Sequence, residues 1–284
     1  MTEDVHTVPV VSPLDAVGDL IDRPAAYSVI EELFRVQATM EPRSTLRRVF
    51  GARPVHADAQ SWFAGAIGEL KVGELLSRLG PEWTVLHAVP VGKGASDIDH
   101  VAIGPGGVFT INTKRHRGKK IWVGDTMLMV SGQKTDHLRN SRHEAKRAAK
   151  LLTRAAGIAV DVHPVLAIVE PASFTFKQHP KDVSVMDARA LPRWLKRRTT
   201  ALDADALSRI LAAAVEVRTW HSTADLTIDP TYRARFTALD RENNQAYVVR
   251  MTWAIAAAIS AGFVAITYLL PAISAAMIAA VGAL

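Results

Sequence analysis

Asp99 and Lys114 bracket two short strand-like runs that meet at Gly104-Pro105-Gly106-Gly107, a cluster with strong turn chemistry. Strand side chains alternate between faces, so Asn112 and Lys114 share one side of the second run. Folding the hairpin about residues 104–106 sets Asp99 opposite Ile111 or Asn112. A carboxylate and an ammonium then converge at one end of the hairpin. Carboxylate oxygens bind Mg²⁺. A bound metal polarises a phosphate and lowers the pKa of its water, and a neighbouring lysine orients that water or stabilises charge on the phosphorane. The order acid, turn, strand, lysine is the layout of a metal-dependent phosphodiesterase core. Taken singly, Asp99 reads as a turn or capping aspartate and Lys114 as a surface lysine beside Arg115.

The elements that must hold these residues are legible around them. Residues 58–80 have helical spacing, with Asp58 or Ser61 as cap, Ile67, Val72, Leu75, Leu76 and Leu79 on one side, and Gly80-Pro81 as the stop. Glu69 lies three positions before Val72 and seven before Leu76, at the border of the apolar stripe. Its carboxylate is within reach of the hairpin end. Strands are expected at 83–89, 98–103, 108–112, 121–123, 127–130, 164–169 and 183–186. The run Pro164–Val169 is apolar throughout, as in a strand covered on both faces. Helices are expected at 26–38, 138–156, 188–198 and 203–220. This succession predicts an α/β domain with a central mixed sheet flanked by helices. The division of the chain reads as a weakly structured region at 1–57, a domain at 58–222, a linker at 223–249, and a membrane segment with a short tail at 250–284.

The chain of 284 residues carries a formal charge of +6. Between Lys114 and Arg154 twelve Lys/Arg stand against Asp125, Asp136 and Glu144, a local +9 that exceeds the total. Such a cluster favours polyanions, nucleic acid or anionic lipid. From Met251 to Leu284 there is no Asp, Glu, Lys or Arg, and Met251–Leu270 alone is long enough to span a bilayer. Pro271 breaks or kinks the segment, so one span is expected. Arg233, Arg235, Arg241 and Arg250 precede it and no Lys or Arg follows, which places the N-terminal domain in the cytoplasm of a single-pass protein. Glu3 and Asp4 without an apolar run argue against a signal peptide, and the absence of cysteine rules out disulfides and thiolate metal sites. His100, His116, His137 and His143 match no standard zinc spacing. Trp122, inside the basic stretch, suits either a core or a base-stacking position.

The segments GAIGELKVGELLSRLG at 65–80 and IDHVAIGPGGVFTINTK at 98–114, with Gly118 after them, resemble the nuclease-related domain (NERD) family. That family is a branch of the PD-(D/E)xK nuclease superfamily. The resemblance covers residues 62–150 and, more loosely, 151–220. It implies a restriction-endonuclease-like sheet, Mg²⁺ as cofactor, and nucleic acid as partner, DNA ahead of RNA. By position, Glu69 matches the helix glutamate, Asp99 the first catalytic aspartate, and Lys114 the motif lysine. Asn112 stands where the family has an acid, and Glu144 where it often has glutamine. A neutral amide binds Mg²⁺ more weakly than a carboxylate, so Asp99, Glu69 and Glu144 would have to carry the metal, with help from the Thr113 carbonyl. Three outcomes follow: a weakened nuclease, a rearranged site using Glu69 or Glu144, or a fold that binds nucleic acid without cutting it. A membrane scaffold whose basic face meets headgroups is the further alternative.

Overall fold

The computed structural model describes residues 19–39, 41–92, 96–223 and 227–281. The first 18 residues, including Glu3 and Asp4, lie outside them. The chain divides into two compact units, one built from residues 1–33 and 61–229, the other from 34–60 and 230–284.

The first unit begins with a 3-10 turn at Leu20–Asp22 and the start of helix α1 (Tyr27–Ala38). Leu20, Tyr27, Ile30 and Leu33 are all buried. This part of the region 1–57 is therefore integral to a folded unit, because its apolar residues recur at helical spacing and find a core. Helix α2 (Thr45–Val49) belongs to the second unit. Helix α3 (Gln60–Leu76) follows, and then three antiparallel strands, β1 (Thr84–Pro90), β2 (Asp97–Gly104) and β3 (Gly107–Arg115). β4 (Lys120–Val123), β5 (Leu128–Val130) and β6 (Gln133–Thr135) precede the long helix α4 (His137–Ala156). β7 (Val162–Val169), β8 (Ser173–Phe176) and β9 (Ser184–Asp187) lead into α5 (Leu191–Lys196), α6 (Ala204–Val215) and α7 (Val217–Trp220).

Two mixed sheets result. The central one runs β1-β2-β3-β7-β9, with β7 parallel to both β3 and β9. The continuous apolar run of β7 is buried on both faces, as its sequence requires. The smaller sheet runs β6-β5-β4-β8. The 121–130 strands thus leave the central sheet, joined by β6, which has no apolar pattern, and by β8, whose alternation Ser173-Phe174-Thr175-Phe176 is only four residues long.

Alternation of side chains divides the core into two layers. Ala102, Phe109, Ile111, Val165 and Ala167 pack with Val72 and Leu76 of α3 and with Leu191 and Leu195 of α5. Val101, Ile103 and Val108 pack on the other face with Ala148, Leu152 and Ala156 of α4 and with Ile210 and Ala214 of α6. α4 buries Leu138, Ser141, Ala145, Ala148, Leu152 and Ala156, a single stripe at three- and four-residue spacing. Gly157 ends it in the left-handed conformation, its N–H donating to the Thr153 carbonyl.

The second unit is dominated by α8 (Tyr232–Val264), which continues through a π-turn at Ala265–Leu269 into α9 (Leu270–Val281). Pro271 does not end the helix. The wider π-turn just before it takes up the carbonyl clash and the lost amide donor. The stretch Tyr232–Ile278 is a candidate membrane span, with its most apolar window wholly exposed.

Candidate nuclease site

The β2–β3 register pairs His100 with Ile111 and Val101 with Thr110, so one step further Asp99 stands level with Asn112. Asn112 and Lys114 share the face of β3 that α4 covers, Asp99 meets them from the end of β2, and Asp97 bonds Ser28 of α1. Asp99 is pinned there: one carboxylate oxygen accepts the Thr113 amide N–H at 2.6 Å. The Lys114 ammonium donates to the Thr113 carbonyl at 3.1 Å. On the opposite face Thr113 and Arg115 meet α3 at Gly68, where an added Cβ would come within 3.2 Å of the Arg115 Cβ and 3.3 Å of the Thr113 methyl. This close approach sets Glu69, the next residue, buried at the end of the hairpin.

The pocket gathers negative charge and removes its water. Burial pushes the Glu69 carboxyl well above the usual carboxylate range, and the Asp99 and Asp97 charges push it further, against the pull of Lys114. Asp99 is raised by burial, with Lys114 and the Thr113 N–H acting the other way. Asp97 is raised to about 6 by burial and by Asp99, with a hydrogen bond to Ser28 and the charge of Arg23 opposing. Glu144 is raised to about 7, first by burial and next by Asp99. Carboxylates that are this reluctant to ionise together, around one lysine, mark a place prepared for added positive charge.

Glu144 reaches the site from α4. One of its oxygens accepts the Asn112 side-chain N–H at 2.5 Å. That hydrogen bond turns the Asn112 carbonyl oxygen away from Glu144, and both this oxygen and the second carboxylate oxygen of Glu144 are buried with no partner. Orphaned oxygens of this kind are costly unless a donor or a cation meets them. The donor set is hard and oxygen-only, which suits Mg²⁺. Among the described residues no three His, Asp or Glu groups stand together in position to ligate one ion.

The structure therefore brings together Glu69, Asp99, Asn112, Lys114 and Glu144. It adds Asp97, two residues before Asp99, whose charge bears on Glu69. It also adds a polar cleft of about 660 Å³ beside Glu144, lined by Val91, Ser96, Ile98, Arg139, Asn140, His143 and Arg147. Arg139, His143 and Arg147 fall four residues apart on α4, so they form one stripe. Arg147 lies against Gly92, where a Cβ would meet its guanidinium at 2.2 Å.

The histidines pair with one another. His100 meets His87 across β1 and β2, Nδ1 to Nδ1 at 2.8 Å, with burial holding His87 down to about 4 and His100 well below its ordinary value. His100 thus sits on the face away from Asp99. His116 and His137 stack with their Nε2 atoms 3.1 Å apart. Trp122 is half-buried in β4, away from the central sheet.

Residues 64–169 fit the model of the NERD family, described as a nuclease-related domain. No curated protein sequence and no solved structure matches the chain.

Proposed function

We propose, with the nuclease-related domain of residues 64–169 as premise, that this protein is a membrane-anchored, Mg²⁺-dependent phosphodiesterase acting on nucleic acid. In this reading the acid missing at position 112 is supplied from α4 by Glu144. The observation that carries it is the 2.5 Å contact from Asn112 to Glu144, which leaves one oxygen of each residue buried and unpartnered. Asp99, Glu144 and the Asn112 amide oxygen would hold the ion, with Glu69 adding charge from α3. When bound, Mg²⁺ supplies Lewis-acid polarisation of the phosphate and a water of lowered pKa. Lys114, held by the Thr113 carbonyl, keeps an ammonium beside Asp99 to orient the attacking water and stabilise charge on phosphorus. Burial and the Asp99 and Asp97 charges favour the neutral form of Glu69, and added positive charge would favour its ionised form. Arg139, His143 and Arg147 receive the phosphodiester backbone in the cleft that ends at Glu144. Backbone phosphates are common to DNA and RNA, so both belong in the assay.

The four arginines ahead of the span and the lack of Lys or Arg after it support a cytoplasmic position for the nuclease-related unit. Cysteines introduced on either side of residues 251–270 and labelled from outside intact cells test this. Labelling of the N-terminal side would reverse the orientation.

The decisive assay is nicking of plasmid and RNA by the full chain in detergent, with Mg²⁺ or with EDTA. Mg²⁺-dependent cleavage that disappears in Asp99→Ala and Lys114→Ala is the expected result. A second reading, a module that binds without cutting, is favoured by the lack of three acidic or imidazole groups around one point among the described residues. Salt-sensitive DNA binding with no cleavage would establish that reading instead.

A further inference from the structure

We infer that residues 43–53 form an interfacial anchor that lies on a bilayer surface bearing anionic headgroups, beside the point where the apolar helix enters it. The inference rests on the reading of α8 as a membrane span. It concerns the second unit alone.

Ser44 starts α2 by accepting the Arg47 N–H. Leu46, Val49 and Phe50 then fall at i, i+3 and i+4, on one face. They are 70%, 51% and 57% exposed. Arg47, Arg48 and Arg53 are exposed and make no ion pair among the described residues. A short segment that presents three large apolar side chains and three free guanidiniums to solvent is unfavourable in water and well suited to a headgroup layer.

Its position along α8 argues for that occupant. Gly51, at φ +69°, packs directly on the α8 backbone, where a Cβ would lie 2.6 Å from both the Ala246 carbonyl oxygen and the Arg250 nitrogen. Arg250 donates to the Gly51 carbonyl at 3.1 Å, and the Trp253 indole N–H to the Val49 carbonyl at 2.9 Å. The Phe50 and Trp253 rings are 5.3 Å apart. Arg43 pairs with Glu242 and donates to the Ala52 carbonyl. All of these contacts fall where charge ends on α8: Arg250 is the last charged residue, and Met251 begins the charge-free stretch. Tyr247 and Trp253 at this level form the aromatic pair expected at a membrane–water boundary. The segment is therefore fixed at the depth of the interface, with its arginines available to lipid phosphates.

The chain has no cysteine, so single sites can be labelled cleanly. Leu46→Cys and, separately, Ile259→Cys are labelled with an environment-sensitive fluorophore in the full chain. Each is reconstituted in phosphatidylcholine vesicles with or without phosphatidylglycerol. The expected result is quenching of the 46 probe by shallow spin-labelled lipid and of the 259 probe by deep spin-labelled lipid. Aqueous acrylamide should quench the 46 probe at least severalfold less with phosphatidylglycerol present, and Arg47→Glu with Arg48→Glu should remove that protection. A 46 probe open to acrylamide while 259 stays deep would overturn the anchor and leave the span. A 259 probe open to acrylamide would overturn the span and the anchor with it. Equal protection in both vesicle types would overturn the requirement for anionic lipid.

Discussion

Asn112 and Glu144 exchange an amide and a carboxylate across the gap between β3 and α4. The site keeps its negative charge but carries part of it on the helix. Glu144→Gln should therefore cost Mg²⁺-dependent nicking about 10²-fold or more. Adding Asn112→Glu to that variant should return much of the loss, because the charge is restored within the same contact. Failure of the double variant to recover, with its fold intact by circular dichroism, would show that Glu144 serves structure alone. The same residue has a signature in stability. With its folded value raised from 4.5 to about 7, Glu144 holds a proton that the unfolded chain has released. Stability from this group is thus lost as pH rises from about 4.5 to about 7 and is level above that. His87, held down to about 4, acts oppositely, adding stability as pH rises toward 6.5. The measurement is therefore a difference: in EDTA, as pH rises through this window, Glu144→Gln should lose less stability, or gain more, than the original chain, by urea unfolding. Identical pH profiles would contradict the assignment.

Helix α3 is placed by what it lacks. Gly68 lets it rest on Thr113 and Arg115, and Gly73 faces Ala25, whose Cβ would be 2.6 Å from an added one. Gly68→Val should push α3 off the end of β3, lower stability by about 1–3 kcal/mol and displace Glu69 from the acid cluster. Urea unfolding reads the first effect. Nicking activity, measured where the variant is still fully folded, reads the second. Full activity with a bulky residue at 68 would mean that the position of Glu69 does not matter. Strand β3 joins this helix to α4, because its odd positions face α3 and its even positions face Glu144 and Asp99.

At the scale of the whole molecule, the unit that holds the site includes residues ahead of α3. Arg23 donates to the Ala88 carbonyl at 2.8 Å and to Ser28, and Ser28 bonds Asp97 at the edge of the acid cluster. A fragment of residues 58–222 loses Leu20, Tyr27, Ile30 and Leu33 from the core. It should be less stable than residues 1–229 by several kcal/mol and unfold at a clearly lower temperature, since each large buried side chain is worth about 1.5–3 kcal/mol. Equal melting temperatures would show that the N-terminal segment is dispensable.

Local pattern was enough to read the hairpin and its turn, the apolar central strand, the stripe of α4, the amphipathic helix at 26–38 and the charge-free C-terminal helix. These features depend on side-chain period and on the position of glycine and proline, which a sequence displays directly. Asp99 and Lys114 were singled out by the same spacing, and the roles of Glu69, Asp99 and Lys114 came from the resemblance to the family. The small sheet was not fully legible, because β6 and β8 are short and exposed and owe their strand state to β5 and β4. Nor was the role of residues 19–33, whose hydrogen-bond partners lie as far as 65 and 200 residues away. The pairing of Asn112 with Glu144, the proximity of Asp97, the cleft along Arg139, His143 and Arg147, and the seating of Phe50 on Trp253 were decided only in three dimensions. Each depends on the distance between elements far apart in the chain, and that distance is set by how closely helices and strands can pack.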